Sequence, residues 1–396
     1  MTELQAQLSE WREAVSARVP SWWSRALAAV LLLVGIAFPF LTGEYSGLLN
    51  GTIIAIAYAV MSLGLNVVVG VAGLLDLGYV AFYALGAYSV GWFGSEFFSK
   101  LNVHVGVSKV ASQLPGIHLN FVLILVASVL ICAIAGMIIG LPTLRLRGDY
   151  IAIVTLAFGE IIGVIAVNGQ SISILGSPLT AGNLGISAVD SPYFPGFGLF
   201  NLLDERPWYY LIFVVLLIVL FVNLRLRDSR LGRAWVALRE DEVAAVSMGI
   251  PLVKTKLYAY AIGAAFGGMS GAFIGAYNTV VNAGQFQFGF SIFILAMVII
   301  GGLGSIWGAL LGGLLLGFIN NYLIPDVLND IPSKLGFNFQ LTSVSFGIFG
   351  FLLVLVMLLR PQGLLPERRR SLEFKGEAAV ADTQLAEPSS ASGGVA

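Results

Sequence analysis

Ten apolar runs alternate with polar breaks along the chain. They fall near residues 25–42, 48–69, 72–94, 119–141, 150–169, 208–224, 256–279, 286–303, 305–324 and 341–359. Several approach or exceed ~20 residues, the length of helix that crosses ~30 Å of hydrocarbon. The pattern predicts an all-α fold, a polytopic transmembrane helix bundle of about 10 spans filling residues 25–365. The second and third runs are joined only by Val71–Leu75. One of them is therefore expected to be broken or re-entrant rather than a full crossing.

The polar segments divide by character. Leu4, Leu8, Trp11, Val15, Val19 and Trp22 recur at helical spacing in residues 1–24. They read as an amphipathic helix on the inner membrane surface, broken at Pro20, or as a frayed tail. Residues 95–118, 170–207 and 325–340 form the longer external segments. Residues 170–207, with Pro178, Pro192, Pro195 and Pro207, are the longest, and unstructured loops of that length are commonly functional. Residues 225–255 form a charged cytoplasmic loop, and residues 366–396 read as a disordered cytoplasmic tail rich in Ala, Ser, Gly and Glu.

Composition agrees. The chain is 58% hydrophobic and 11% charged, where a soluble domain is about a quarter charged, so no sizeable soluble domain is left over. With both termini inside, 17 of the 21 Lys and Arg residues lie on the inner face, seven of them in Leu224–Lys256. Only Lys100, Lys109, Arg206 and Lys334 lie outside, so the positive-inside rule selects this ten-span orientation. An odd number of spans would put one end group on the wrong face.

Little in the chain can do covalent chemistry. Two histidines and the single Cys132 make no metal site, and no nucleophile–base arrangement fits the topology. Gly249-Ile250-Pro251-Leu252-Val253-Lys254-Thr255 lacks the glycine that a phosphate loop needs before its lysine, so ATP is not expected to bind here. Neither enzymatic activity nor nucleic-acid binding is expected. Two carboxylates, Asp76 and Glu160, fall well within apolar runs, where a charge costs at least ~2.5–3.5 kcal/mol and should face a cavity, a partner or the aqueous boundary. Asp76 is placed to cap the helix that starts after the break. Gly263, Gly267, Gly271 and Gly275, and likewise Gly304, Gly308 and Gly312, recur every fourth residue. Such ladders let helix backbones approach closely, either as fixed packing within one chain or as a subunit or sliding surface.

The basic stretch carries two helix patterns. Asp228 or Ser229 can cap a helix near 230–238, and Glu240-Asp241-Glu242 can open a second near 241–248, stopped by Gly249 and Pro251. Both are expected along the inner surface. The stretch reads either as a docking element for a cytosolic protein or as a solvated connector whose arginines fix topology.

Four motifs in order carry a resemblance. Glu242-Val243-Ala244-Ala245-Val246-Ser247-Met248-Gly249-Ile250 resembles the Glu-Ala-Ala-x-x-x-Gly motif of ABC importer permeases, with the glutamate one place early. Gly73-Leu74-Leu75-Asp76-Leu77-Gly78-Tyr79-Val80, Leu144-Arg145-Leu146-Arg147-Gly148-Asp149-Tyr150 and Arg360-Pro361-Gln362-Gly363-Leu364 are similar to the LivM-type branched-chain amino acid permeases of that family. The resemblance covers about residues 47–365. It implies an ABC importer permease fold and no cofactor in this chain, with ATP bound by partner subunits. The implied partners are a second homologous permease, two cytosolic ATPase subunits and an extracytoplasmic binding protein, with membrane lipid around them. It also implies a bacterial cytoplasmic membrane location. The expected ATPase-coupling residues are Arg239, Glu240, Asp241, Glu242, Ala244, Ala245, Gly249, Ile250 and Pro251. For the translocation path the candidates are Asp76, Tyr79, Glu160, Thr180, Gly182 and Asn183. Thr180-Ala181-Gly182-Asn183-Leu184-Gly185-Ile186 departs from the family's usual Thr-Gly-Gly-Pro-x-Gly-Ile, which leaves substrate preference open between branched-chain amino acids and urea or short amides. A proton-driven transporter using Glu160 and Asp76 is the alternative outside the family.

Overall fold

The computed structural model describes residues 23–43, 46–143, 146, 149–174, 176–194, 198–201, 204–334, 340–360 and 362–365. Residues 1–22 of the amphipathic segment, almost all of the Leu144–Gly148 motif and the tail 366–396 lie outside the described residues.

The apolar runs become helices α1 (Trp23–Leu41), α2 (Gly47–Leu65), α3 (Val80–Phe93), α4 (Phe121–Thr143), α5 (Asp149–Asn168) and α6 (Arg206–Asp228). The basic stretch forms α7 (Arg230–Glu240) and α8 (Glu242–Ser247). The chain then continues through α9 (Leu252–Tyr277), α10 (Phe288–Gly301), α11 (Ile306–Phe318) and α12 (Ser345–Leu359). Among the described residues, seven helices are long and apolar enough to cross a membrane, and three shorter apolar helices accompany them. The chain is thus a multi-pass helical membrane protein.

The short helices mark departures from simple crossings. A 14-residue α3 rises only about 21 Å, less than the hydrocarbon thickness. It is short because α2 passes into a wider turn of π-helix at Asn66–Val71 and the chain then leaves helix altogether until Val80. The break expected between the second and third runs is therefore real. A second turn, Gly302 to Ser305, separates α10 from α11, and α11 itself widens into π-helix at Ile319–Leu328.

α9 is the central post of the bundle, with α2, α3 and α4 around it. The glycine ladder of α9 explains how. Gly263 lies on Val68 and the Gly64 carbonyl, Gly267 on Tyr79 and Phe82, Gly271 on the Tyr83 carbonyl and Gly275 on Ala87. Gly308 and Gly312 press on Gly301 and the Met297 carbonyl of α10. These ladders serve packing within the chain. Gly304 does not belong to a ladder. It sits in the turn before α11 with φ +83°, a conformation that side chains disfavour.

Between the helices the chain adds short strands that the apolar pattern did not announce. Gly94–Ser95, Ile117–Leu119 and Val103–Val105 pair in that order as a small sheet, and Ile186–Ser187 pairs antiparallel with Val280–Val281. The second pairing ties segment 170–207 to the C-terminal end of α9.

Candidate functional site

Residues 72–79 are irregular backbone inside a bundle, so each polar group needs a partner. Three side chains supply them. The Leu77 amide donates to Thr155 Oγ1 at 3.1 Å, the Gly78 amide to Asp76 Oδ1 at 2.9 Å and the Val80 amide to Ser291 Oγ at 3.1 Å. Asp76 thus closes a turn before α3, while α10 satisfies the first amide of the helix. The expectation that Asp76 caps α3 is corrected on this point. Asp76 is buried, and its Oδ2 has no partner. The Tyr79 hydroxyl donates to the Gly263 carbonyl at 2.7 Å, which fixes the break against α9.

The break also touches the second turn. Asn66, fully buried in the π-helix, accepts the Gly304 amide at 2.9 Å. One turn earlier, Ser62 donates to the Ala309 carbonyl at 2.8 Å. Beyond α12, the Leu364 and Leu365 amides donate to the Ile300 and Gly301 carbonyls, so the Arg-Pro-Gln-Gly-Leu segment is pinned to the same turn.

From the basic stretch one arginine reaches this assembly. Arg239, near the end of α7, donates from Nη1 to the Gly70 carbonyl at 2.5 Å. Its side chain lies over Gly73, whose φ of +72° and lack of a Cβ make the room. Trp235, buried on the same helix, donates to the Thr255 carbonyl at 2.7 Å and fixes α7 to the start of α9.

α8 follows after a single residue. Ser229 caps α7 through the Gly232 amide, and Asp241 caps α8 through the Val243 and Ala244 amides. Gly249, at φ +87°, ends it. Glu240 terminates α7 rather than opening α8, so the second helix is shorter than the stretch from Glu240 to Pro251 suggests. The charges are engaged within the chain. Asp241 is engaged in capping, Arg239 points inward, and Glu242 pairs with the buried Lys256 of α9. Three large apolar side chains of this segment face outward: Val243, Val246 and Met248 are 69%, 47% and 86% exposed, beside exposed Ala244 and Ser247, while Glu240 and Asp241 are exposed at its start. Ala245 is buried, and Ile250 and Pro251 lead into α9.

The Glu242–Lys256 pair gives a direct test of this packing. Glu242→Gln leaves a buried ammonium unpaired and is expected to destabilise the protein by about 1–2 kcal/mol, below the figure for fully buried pairs because Glu242 is partly exposed. Glu242→Gln combined with Lys256→Met should recover most of that loss. Thermal unfolding in detergent reads both, and additive losses would contradict the pairing.

In segment 170–207, Thr180 is buried, donates to the Ala166 carbonyl at 2.9 Å and accepts the Gly182 amide. Gly182 and Gly185 take φ of +58° and +74°, whereas Ala181 sits at −89°. The departure from the family motif at Ala181 therefore falls where backbone conformation does not require glycine. Asn183 is exposed, and its carbonyl accepts from Asn282 at 3.0 Å. It shares a groove of about 360 Å³ with Glu160 on α5. Sequence reasoning did not single out two further carboxylates, Asp190 and Glu205. Asp190 meets His118 Nδ1 at 2.6 Å, and burial raises its carboxyl above the usual range while His118 pulls it back. Burial likewise raises Glu205, against hydrogen bonds from Tyr277, Asn50 and Ser46. Neither had a signal in the sequence, because their partners, His118 for Asp190 and Asn50 and Tyr277 for Glu205, lie far away in the chain.

Residues 47–359 match the family described as branched-chain amino acid transport system / permease component. The high-affinity branched-chain amino acid transport system permease protein LivM of Escherichia coli is 37% identical over 369 residues, covering 88% of this chain and 76% of LivM. The probable branched-chain amino acid transport permease protein LivM of Methanocaldococcus jannaschii is 28% identical, covering 78% of this chain and 91% of the relative. The permease protein LivH of Escherichia coli is 33% identical over 156 residues, covering 38% of this chain and 45% of LivH. No solved structure matches.

Proposed function

The chain belongs to the family of permease components of branched-chain amino acid transport systems, and from that premise we propose how it couples ATP hydrolysis to movement of the substrate. α8 seats in a cytosolic ATPase subunit through its exposed apolar face. Displacement of the α7–α8 pair is passed by Arg239 to the break at residues 72–79, and from there through Asn66 to the turn before α11. A second permease chain, of the kind that LivH represents among the relatives, stands against this one, and an extracytoplasmic binding protein delivers the amino acid to the outer face. The membrane is the bacterial cytoplasmic membrane, with both termini inside. No bond is made or broken in this chain; it alternates access.

The observation that carries this reading is the Arg239 contact. A cation at the end of a cytoplasmic surface helix holds a backbone carbonyl of the π-helical turn that leads into the break. Solvated loop arginines that only fix topology would have no reason to point there. A proton relay would need a series of titratable groups across the membrane. Here Asp76 is buried under α5, and Glu160 lies on the exposed side of the same helix. All the relatives described above are named for branched-chain amino acids, and nothing in the structure favours urea or short amides.

Docking is testable apart from coupling. Met248→Asp with Val246→Asp places two charges on the α8 face without touching its cap or its pair with Lys256. Co-purification of the ATPase subunits is expected to fall at least about tenfold, the equivalent of ~1.4 kcal/mol, while the permease still inserts. Unchanged co-purification would place the ATPase contact elsewhere.

A further inference from the structure

Glu160 makes no hydrogen bond or ion pair among the described residues, yet it stands about 12 Å below the outer end of α5, eight residues before Asn168. It lies on the exposed side of that helix, in one stripe with Ile153, Ala157, Ile161 and Val164. A carboxylate on lipid at that depth costs at least ~2.5–3.5 kcal/mol, so hydrocarbon is not its natural neighbour. The groove it borders is built from three separate segments: α5, the turn at Gly182–Leu184, and residues 283–288. Its walls divide by chemistry. Val164, Val167, Phe286 and Phe288 are apolar, and Asn183 and Gln287 are uncharged hydrogen-bonding groups toward the outer rim. Glu160 is the one titratable group in the lining.

We propose that Glu160 receives the ammonium group of the amino acid as it crosses, with the apolar wall taking the aliphatic side chain. This rests on the reading of the chain as an amino acid permease. A branched-chain amino acid has one ammonium, one carboxylate and a compact apolar body. A single carboxylate set in an apolar wall matches the first and the last. The substrate's carboxylate is left to amide donors such as Gln287 and Asn183 at the rim, and the second permease chain closes the open side. A lone, unpartnered carboxylate holds its cation by charge without a cage around it, which suits a site that must release as well as bind.

The test uses the complete importer in vesicles with its binding protein, ATP inside and L-leucine outside. Leucine uptake by the unaltered importer decides the substrate reading on its own. Given that uptake, Glu160→Gln is expected to lower leucine moved per ATP at least about tenfold, or ~1.4 kcal/mol of lost discrimination. ATPase stimulation by the loaded binding protein should stay intact, and Glu160→Asp should recover part of the uptake. Uptake by Glu160→Gln within twofold of the unaltered importer would overturn the proposal. So would joint loss of assembly and ATPase stimulation in Glu160→Gln, because that marks a structural ion pair with the second permease instead.

Discussion

Arg239→Ala is expected to leave the importer assembled and hydrolysing ATP while leucine uptake falls at least about tenfold. The hydrogen bond it removes joins a guanidinium to the Gly70 carbonyl, and bonds to charged groups contribute about 1.5–3 kcal/mol. α7 keeps its other anchor, since Trp235 still donates to Thr255, and α8 keeps its Asp241 cap and its Lys256 pair. The surface helices therefore stay folded and able to dock. What is lost is the rigid link from α7 to the break, so ATP-driven displacement is dissipated before it reaches the core. Arg239→Lys should recover little, because a lysine offers a point charge rather than the planar fork of a guanidinium. Parallel assays of ATP hydrolysis and uptake in vesicles check both. Equal losses in the two activities would mean that Arg239 supports assembly rather than coupling.

A second large effect concerns the fold of the break itself. Gly78→Ala is expected to destabilise the permease by about 3 kcal/mol, the upper end of overpacking costs. A Cβ at position 78 would overlap the Thr155 carbonyl oxygen and stand 3.1 Å from the Gly159 amide nitrogen. Gly159 approaches from the other side, where a Cβ would lie 2.9 Å from the Gly78 Cα. Backbone meets backbone, so no side chain can turn away to relieve the overlap. Gly350→Ala in α12 is the control, since a Cβ there meets nothing within 4 Å. Heating midpoints of the detergent-solubilised proteins should separate the two substitutions clearly. Equal midpoints would show that the break can move off α5 without cost.

Much of this arrangement was legible in the chain. Seven of the ten long apolar runs reappear as helices long and apolar enough to cross a membrane and the other three as shorter apolar helices, so the helix positions carried over and the count of ten crossings did not. Ser229, Asp241 and Gly249 act where caps and stops are expected, because capping is chemistry between near neighbours in sequence. The break at 72–79 followed from a connection too short for two full crossings. The rest depends on contacts between distant residues. Arg239 reads as one more positive charge on a basic loop until the Gly70 carbonyl appears beside it. Asp76 and Glu160 look alike as carboxylates in apolar runs, yet one is enclosed beneath α5 and the other stands on its open side. Gly304 keeps the period of a ladder and works in a turn. The spacing of glycines shows that backbones approach closely, and only the fold shows that α9 and α11 approach helices of their own chain.

The central claim is that the cytoplasmic helix pair moves the break through Arg239. Leu75, partly exposed in residues 72–79, reports on it. A cysteine placed there, with the buried Cys132 changed to serine, can be labelled by a thiol reagent in the assembled importer with and without ATP. The predicted result is a several-fold change in labelling rate on adding ATP, which Arg239→Ala abolishes. A change of the same size in Arg239→Ala, or none in the unaltered pathway, would contradict the coupling route.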